Sequence, residues 1–343
     1  MRATTQLAKA FLLLPAAGYY AVQKVREKAY SLGLLASEQG PVPVVSVGNI
    51  LLGGSGKTPF VIFLAQSLHE IGLKPAVVSR GYRGRYRGSY LVVSDGIPRH
   101  EGPLVEPDVC GDEPRLMAER LPGIPVIVGR KRIHPVRAAR DLFHCNVVIL
   151  DDGFQHLSLE RTVDVVLLNG TEDCMFPVGS LREPISALRR ADVVVLVGEG
   201  TEPPEAARPY LRDVPVFRCR QHPAGVHQGF SSRMSAPDLF SGTDVLLASA
   251  IAHPKRFRDT AETLSWSVRA HKTFPDHHVF SDGDLEEILR QATDAAVVVT
   301  EKDWVKLPHW AKKTGRVWAL RIEVEMEDEG SFRDVLLGLL EPR

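Results

Sequence analysis

The stretch PVVSVGNILLGGSGKTPF occupies residues 43–60. Its first five residues are apolar or small and predict a short buried strand. Phe60, Phe63, Leu64 and Leu68 recur at helical spacing and predict a helix beginning near Thr58. Between the two lies the turn Gly53-Gly54-Ser55-Gly56. Glycines in such a turn let backbone N–H groups converge on phosphate oxygens. The helix N-terminus that follows adds partial positive charge. Lys57 is then placed to reach the β- and γ-phosphates of a nucleotide, and the Thr58 hydroxyl to ligate Mg²⁺. The general Walker A pattern has a glycine five residues before Gly56, but that position is Leu51, and the glycine falls three residues earlier at Gly48.

Outward from this stretch the pattern repeats. Residues 75–79, 147–150, 163–168 and 192–197 are short Val- and Leu-rich runs, and helical patterns cover 113–121 and 132–143. Strands alternating with helices mean βαβ units and a mostly parallel sheet. Near 200–225 the chain turns Pro- and Arg-rich, which marks a boundary. Strands at 245–250 and 296–300, a helix from about 254 and a closing helix from about 331 then resume the rhythm. Asp151-Asp152 stands directly after the VVIL strand, where phosphate-transferring proteins hold Mg²⁺ or polarise its water. Which of the two touches the metal is left open.

Three further motifs carry chemistry. Gly111-Asp112-Glu113-Pro114 is either a helix start capped by Asp112 or the seat of a general base acting on a hydroxyl. Pro275-Asp276-His277-His278 suggests a metal site, an acid/base relay or a polar loop; no H-E-x-x-H or C-x-x-C partner supports zinc. Thr300-Glu301-Lys302-Asp303 follows a strand and either faces a ligand or caps the next helix.

Composition bounds the rest. The chain has 343 residues, 44% hydrophobic and 24% charged, which excludes a disordered or fibrous chain and suggests roughly two domains. Lys+Arg and Asp+Glu are both 42, so no basic excess supports nucleic-acid binding. Cys110, Cys145, Cys174 and Cys219 form no C-x-x-C pair and point to a reducing compartment. Residues 1–30 carry a net charge of +4, and the uncharged run AFLLLPAAGYYAVQ (10–23) is too short to span a bilayer. It reads as an interfacial anchor, a helix packed on the protein's own core, or a leader.

In order, these pieces resemble the tetraacyldisaccharide 4′-kinase family. The matching residues are Val47-Gly48-Asn49 with GGSGKTP, Ser79-Arg80-Gly81-Tyr82, Gly111-Asp112-Glu113-Pro114, Asp151-Asp152-Gly153-Phe154-Gln155-His156, Leu181-Arg182-Glu183-Pro184, His253-Pro254-Lys255-Arg256-Phe257, Pro275-Asp276-His277-His278 and Thr300-Glu301-Lys302-Asp303. The Leu51 departure is one from the general Walker pattern and not from this family. Phe154 stands where some members have leucine.

The resemblance implies an α/β fold. It comprises a P-loop NTPase-like core with a mostly parallel sheet (37–215) and a smaller C-terminal α/β domain (216–343, with linker strands near 216–240). A membrane-associated helical segment (1–36) precedes them. It implies ATP- and Mg²⁺-dependent transfer of the γ-phosphoryl group to the 4′-hydroxyl of a tetraacylated glucosamine disaccharide 1-phosphate, forming lipid IVA. The enzyme would sit at the cytoplasmic face of the inner membrane. The expected catalytic residues are Asp112, His277, Lys57 and Asp152. Gly53, Gly54, Ser55, Gly56, Lys57 and Thr58 would bind ATP, and Thr58, Asp151 and Asp152 the metal. Glu113, Arg132, His156 and Arg182 would meet the substrate. No motif points to an obligate protein partner. A nucleotide-switch GTPase would need an N-K-x-D guanine signature, which the chain lacks. A membrane scaffold that merely binds ATP leaves Asp112 and His277 unexplained.

Overall fold

The computed structural model describes residues 2–341 apart from 54–55, 98–104, 170–173, 201 and 231–232. In chain order the strands are β1 (Val44–Asn49), β2 (Pro75–Ser79), β3 (Leu91–Ser94), β4 (Val126–Val128), β5 (Val147–Asp151), β6 (Val163–Leu168) and β7 (Val193–Val197). Then come β8 (Val216–His227), β9 (Asp244–Ser249), β10 (Ser267–Thr273), β11 (Ala296–Thr300) and β12 (Val317–Met326). The α-helices are α1 (Arg2–Ser31), α2 (Lys57–Glu70), α3 (Pro107–Cys110), α4 (Asp112–Arg120) and α5 (Ile133–Phe143). They continue with α6 (Pro254–Thr263), α7 (Asp282–Ala292), α8 (Glu301–Trp304), α9 (His309–Lys313) and α10 (Glu329–Leu340).

The strands form one sheet in the order β10-β9-β11-β12-β8-β7-β6-β1-β5-β2-β4-β3. Neighbours are parallel except β3 with β4 and β8 with β12. The strands from β4 to β7 are therefore antiparallel to those from β9 to β12. The β8/β12 ribbon joins the two sets, and its register decides where they meet. β7 pairs only with the first residues of β8, Val216–Cys219, and β11 only with the first residues of β12, Val317–Leu320. Within the ribbon Cys219 faces Met326 and Leu320 faces Val226. The two half-sheets thus attach at opposite ends of the ribbon with their carboxyl ends turned toward each other. Arg220 to Gly225 lies between them, about 20 Å of strand at ~3.3 Å per residue. Ligands of parallel sheets bind beyond strand carboxyl ends, and this register makes two such edges share one space.

Both half-sheets are covered on both faces, which is why their strands read as unbroken apolar runs. One face of the first packs Phe60, Leu64 and Leu68 of α2 with Met117 of α4, and the other packs Val136 and Ala139 of α5. The second half-sheet sits between clusters that include Leu285, Ile288 and Trp304 on one side and Phe257 and Trp266 on the other. The last helix does not stay with the second half. Phe332 of α10 is buried against the rings of Phe60 and Phe217, at centroid distances of 6.0 and 5.4 Å. Burying such a ring contributes roughly 2–3 kcal/mol. This docks the C-terminus back on the first core.

Two details depart from the sequence-based expectations. Linker strands were expected near 216–240, but among the described residues only β8 lies there. Its partner is β12, a hundred residues on, because an antiparallel partner must return after the second half-sheet is complete. Gly48 was expected to serve the phosphate-type loop, but it lies within β1. A Cβ there would stand 2.4 Å from Cβ of Phe154, so the glycine serves close packing of the strand on the Asp-Asp-Gly-Phe turn.

α1 continues through Pro15 and Gly18 without a break. It docks by its second half. Tyr19 meets Phe176 edge-on, Arg26 donates to the Gln155 carbonyl at 3.0 Å, and Glu27 lies 3.6 Å from Arg190. Leu13, Leu14, Val22 and Val25 face outward, with Leu32 and Leu34 beyond the helix end also exposed. No helix among the described residues is long and apolar enough to cross a membrane.

Candidate active site at the facing strand ends

The loop after β1 delivers Gly56 in the left-handed region (φ 78°) as the N-cap of α2, a conformation suited to glycine. Lys57 follows as the first helical residue. Its Nζ donates to Asn49 Oδ1 at 3.1 Å and lies 3.2 Å from Asp152 Oδ1. Thr58, half-buried, is the next residue of α2. Gly53 turns with φ 99°, and a Cβ there would be 3.5 Å from Nε2 of His253. The expected Gly54 and Ser55 lie outside the described residues. Gln221, in the ribbon's middle, donates to the Gly56 carbonyl at 3.2 Å.

β5 ends on Asp151, and Asp152 follows with φ 54°. The two carboxylates part company electrostatically. Asp151 is fully buried and accepts from the Ser79 hydroxyl at 2.8 Å. Burial, together with the Glu113 and Asp152 carboxylates, pushes its pKa up to about 7. Asp152 also resists ionisation through burial, but Lys57 and Arg182 outweigh this and hold it at about 2. Arg182 Nη1 donates to both Asp152 oxygens, at 3.0 and 2.8 Å, and to Gln155 Oε1 at 3.3 Å. Gln155 in turn donates to the Asn49 carbonyl at 2.8 Å, so the loop, the paired aspartates and Arg182 form one network.

Arg132 and His156 stand beside this network without a side-chain bond to it. Arg132 is buried, donates to the Gly129 carbonyl at 3.0 Å, and leaves its Nε without a partner. Burial lowers its pKa to about 10, while the Asp151 charge acts in the opposite direction. His156 meets the Ser158 hydroxyl at 3.2 Å. Burial, Arg132 and Arg161 push its pKa down to about 4, so its ring is neutral at pH 7.

Across the space stands a second group assembled from both half-sheets. Gly111, not Asp112, is the N-cap of α4, and Asp112 is its first residue. Asp112 Oδ2 lies 2.7 Å from Nδ1 of His277, which comes 165 residues later in the chain. Asp112 and the His277 side chain are both largely shielded from solvent. Burial acts to raise the Asp112 pKa, but the His277 hydrogen bond and the Lys302 charge reverse this and hold it below the usual carboxylate range. His278 turns away, binding Asp284 at 3.0 Å and stacking on Phe274. The structure therefore selects the first histidine of the pair. His277 itself has φ 63°, its N–H donates to the Ala250 carbonyl at the end of the β9 segment, and its ring meets the Tyr82 edge. Among the described residues, Arg83, Asp152 and His277 are three of six non-glycine residues at positive φ. Such backbone is uncommon and gathers at functional sites.

The Thr300–Asp303 motif both caps and faces the site. The Thr300 side chain accepts from Asp303 N as the cap of α8, and Asp303 accepts from Ala250 N at 3.1 Å. Glu301 is buried and binds Arg120 at 2.7 Å, His227 at 2.9 Å and Arg321 at 2.9 Å, tying the two halves together. Lys302 points the other way, to Glu113 at 3.1 Å, His277 Nε2 at 3.4 Å and Asp276 at 3.6 Å. Glu113 thus touches Lys302 and also repels Asp151, which couples the two groups. Sequence reasoning quoted Lys302, Asp276 and Tyr82 within motifs but assigned none of them a place in the site. It missed Gln221 altogether. The position of Lys302 just past a strand's carboxyl end was the available signal.

The fold and site define the class: a mixed α/β protein with a mostly parallel sheet, its charged side chains converging where strand carboxyl ends face one another. A family model described as tetraacyldisaccharide-1-P 4′-kinase matches residues 8–341. The chain belongs to that family. It is 36% identical over 336 residues to a tetraacyldisaccharide 4′-kinase of Syntrophus aciditrophicus, covering 92% of this chain and 89% of that one. It is 38% identical over 336 residues to one of Anaeromyxobacter dehalogenans, covering 93% and 87%. A crystal structure of LpxK from Aquifex aeolicus in complex with ATP superposes with a TM-score of 0.82 at 30% identity, covering 97% of this chain and 100% of that one.

Proposed function

We propose that this chain transfers the γ-phosphoryl group of ATP to the 4′-hydroxyl of a tetraacylated glucosamine disaccharide 1-phosphate, forming lipid IVA in lipid A biosynthesis. The observation that carries the reading is the buried Asp112–His277 pair, 2.7 Å apart, coupled through Glu113 to the Lys57–Asp152–Arg182 network. Phosphoryl transfer asks a protein mainly for positioning and charge compensation. Gly53–Thr58 would cradle the triphosphate, with Lys57 leaving Asp152 to meet the β- and γ-phosphates. Asp112 would accept the proton of the sugar hydroxyl as its oxygen bonds to phosphorus. The bond to the β-phosphate breaks, and ADP keeps the electron pair. Arg182 and Arg132 would bind phosphate oxygens; the buried Arg132 Nε without a partner suits that role. Glu113 and His156 line the acceptor side.

Thr58, Asp151 and Asp152 fit Mg²⁺, which usually takes one or two carboxylates plus phosphate oxygens. Burial foremost, and then the Glu113 and Asp152 carboxylates, disfavour the Asp151 charge, and a divalent cation would offset both. When bound, the ion would supply charge neutralisation on the phosphates.

The chain would divide into a nucleotide-binding unit (37–215) and a second unit (216–343) joined by the β8/β12 ribbon, with α10 returning to the first. α1 would lie on the cytoplasmic face of the inner membrane. Its outward leucines and valines suit an apolar boundary, its cations suit anionic headgroups, and its Arg26–Gln155 bond sets it beside the Asp151–His156 turn. Purified protein should turn over ATP only when the lipid disaccharide 1-phosphate is supplied. ATP hydrolysis indifferent to that lipid would sink the reading. Deletion of residues 1–24 should move the protein from the membrane to the soluble fraction.

A further inference from the structure

Gln221 stands in the part of β8 between the two half-sheets, yet it reaches the loop after β1. Side chains alternate from face to face along a strand. Cys219, two residues before it, is buried in the first core with Phe60 and Leu64 of α2. Val324, its register partner on β12, packs against the same core. Arg220 takes the other face and binds Glu325 at 2.9 Å. Gln221 therefore emerges on the α2 face, where it meets the start of that helix. Its Nε2 donates to the Gly56 carbonyl at 3.2 Å. That oxygen also accepts from Phe60 N at 3.3 Å, as the first bond along α2. A carbonyl has two lone pairs, so both donors are accommodated. A Cβ on Gly56 would run into the Gln221 amide, so the two residues are packed directly against each other. At the other end of the loop, Gly53 lies against His253 of the second half. Side chains from beyond residue 216 thus bracket the loop.

The oxygen that Gln221 holds belongs to the peptide joining Gly56 to Lys57. This peptide is trans, so its C=O and its N–H point in opposite directions from one rigid plane. Fixing the oxygen fixes the direction of the Lys57 N–H. N–H groups in the first turn of a helix point out of its N-terminal end, the direction from which an anion is bound. A donor on the oxygen also polarises the peptide and strengthens its N–H as a donor. We propose that Gln221 is a positioning residue for the nucleotide: it pins the Gly56–Lys57 peptide so that the Lys57 N–H faces a phosphate of ATP, and it makes the ribbon part of the nucleotide site. The ribbon also carries the second half-sheet. Nucleotide in the loop is thereby linked to the ribbon, and such linkage is reciprocal.

This inference rests on the reading that ATP occupies the loop, and calorimetry with ATP and the full chain, without lipid, tells the two apart. Gln221→Met keeps the length of the side chain and removes the donor. Its Kd for ATP should rise about 10-fold, the scale of losing one well-aimed hydrogen bond to a charged group, with a thermal melt close to wild type. An unchanged Kd overturns the proposal and leaves the kinase reading standing. Wild type that binds no ATP overturns both. If wild type binds ATP but does not phosphorylate the lipid, the kinase reading falls and the Kd of Gln221→Met still decides the proposal. In turnover with the lipid disaccharide, KM for ATP should rise by the same factor while kcat stays within about twofold, because the pinned N–H meets the phosphate alike in ground and transition states. A loss confined to kcat overturns the proposal. Gln221→Glu keeps the shape of the side chain, and its carboxylate has no N–H to give. Measured against wild type at high salt, which screens the added charge, it should bind ATP as weakly as the Met variant. Wild-type affinity there overturns the proposal even where the Met variant folds poorly. Hydrogen exchange reads the linkage to the ribbon. ATP should slow exchange across 219–226 in wild type, but in Gln221→Met only at the loop. Ribbon amides that ignore ATP in wild type, or are protected equally in the variant, overturn it.

Discussion

Two charged groups face each other across the ribbon, and they are built differently. The Lys57–Asp152–Arg182 network comes from one half-sheet, within 126 residues of chain, and each member sits in a motif that local chemistry explains. The Asp112–His277–Lys302 group comes from both halves, and its members are separated by up to 190 residues. The first joins three segments of that half: the start of α2 at Lys57, the end of β5 at Asp152 and the segment of Arg182. The second exists only because the β8/β12 register turns two sets of strand ends together. The difference teaches that the group proposed to bind phosphate can be built within one half, whereas the pair proposed to accept the proton depends on how the halves are aligned. Glu301 shows how that alignment is secured. It is adjacent to Lys302, yet it is buried against Arg120, His227 and Arg321 as a tie between halves. Removing one partner of such a buried set costs about 3–5 kcal/mol.

The largest expected effect tests the local group. Lys57→Ala should lower turnover by about 10³-fold or more, the scale of losing a charge aimed at the transition state, while the thermal melt stays close to wild type. Near wild-type steady-state rates from the purified variant would break the assignment of this loop to the triphosphate.

The cross-half group should respond more weakly and in a distinctive way. Asp112→Ala and His277→Ala should each lower kcat by about 10²-fold, the usual scale of general-base loss. The double variant should be little worse than the more damaging single one, because residues acting as a unit are non-additive. ATP binding, followed by calorimetry, should survive in all three. If the two losses multiply in full, the residues act separately and the contrast between the groups dissolves.

The smallest effect sharpens the comparison through pH. Asp151 has its folded pKa raised to about 7, above an unfolded value of about 3.9. The native state therefore keeps a proton that the unfolded chain gives up. This favours folding below about pH 4 and is lost progressively as pH rises to about 7. Asp151→Asn cannot lose that proton. Its Tm relative to wild type, measured with EDTA and without nucleotide, should rise by several degrees between pH 4 and 7 and then level off. A difference in Tm that stays constant across that range would show that Asp151 is not charged against its will. The loop network, whose Asp152 is held at about 2 by Lys57 and Arg182, should show no such trend there.

Much of this molecule was legible before any coordinates. The runs at 75–79 and 163–168 coincide with β2 and β6, and that at 147–150 with β5 to within a residue. Strands covered on both faces must be apolar at every position, and that leaves a mark in the sequence. The ribbon left no such mark. Its middle, between the half-sheets, is only partly covered, so Arg220, His222 and Pro223 of β8 read as a boundary rather than a strand. The edge strand β3 is four residues long, with only two buried, and was missed for the same reason.

For the site, residue type and position relative to a strand or helix end were enough to single out Lys57, Thr58, Asp151, Asp152, Asp112 and the His277-His278 pair. Those properties are local, because a glycine turn, a helix start and a strand end are made by neighbours in the chain. The resemblance implied His277, but the residues themselves left the pair His277-His278 open; that His277 meets Asp112, and that Glu301 ties while Lys302 faces the site, is the work of tertiary structure. Adjacent residues on one helix turn point in different directions, and only the packing of the two half-sheets determines what each direction meets.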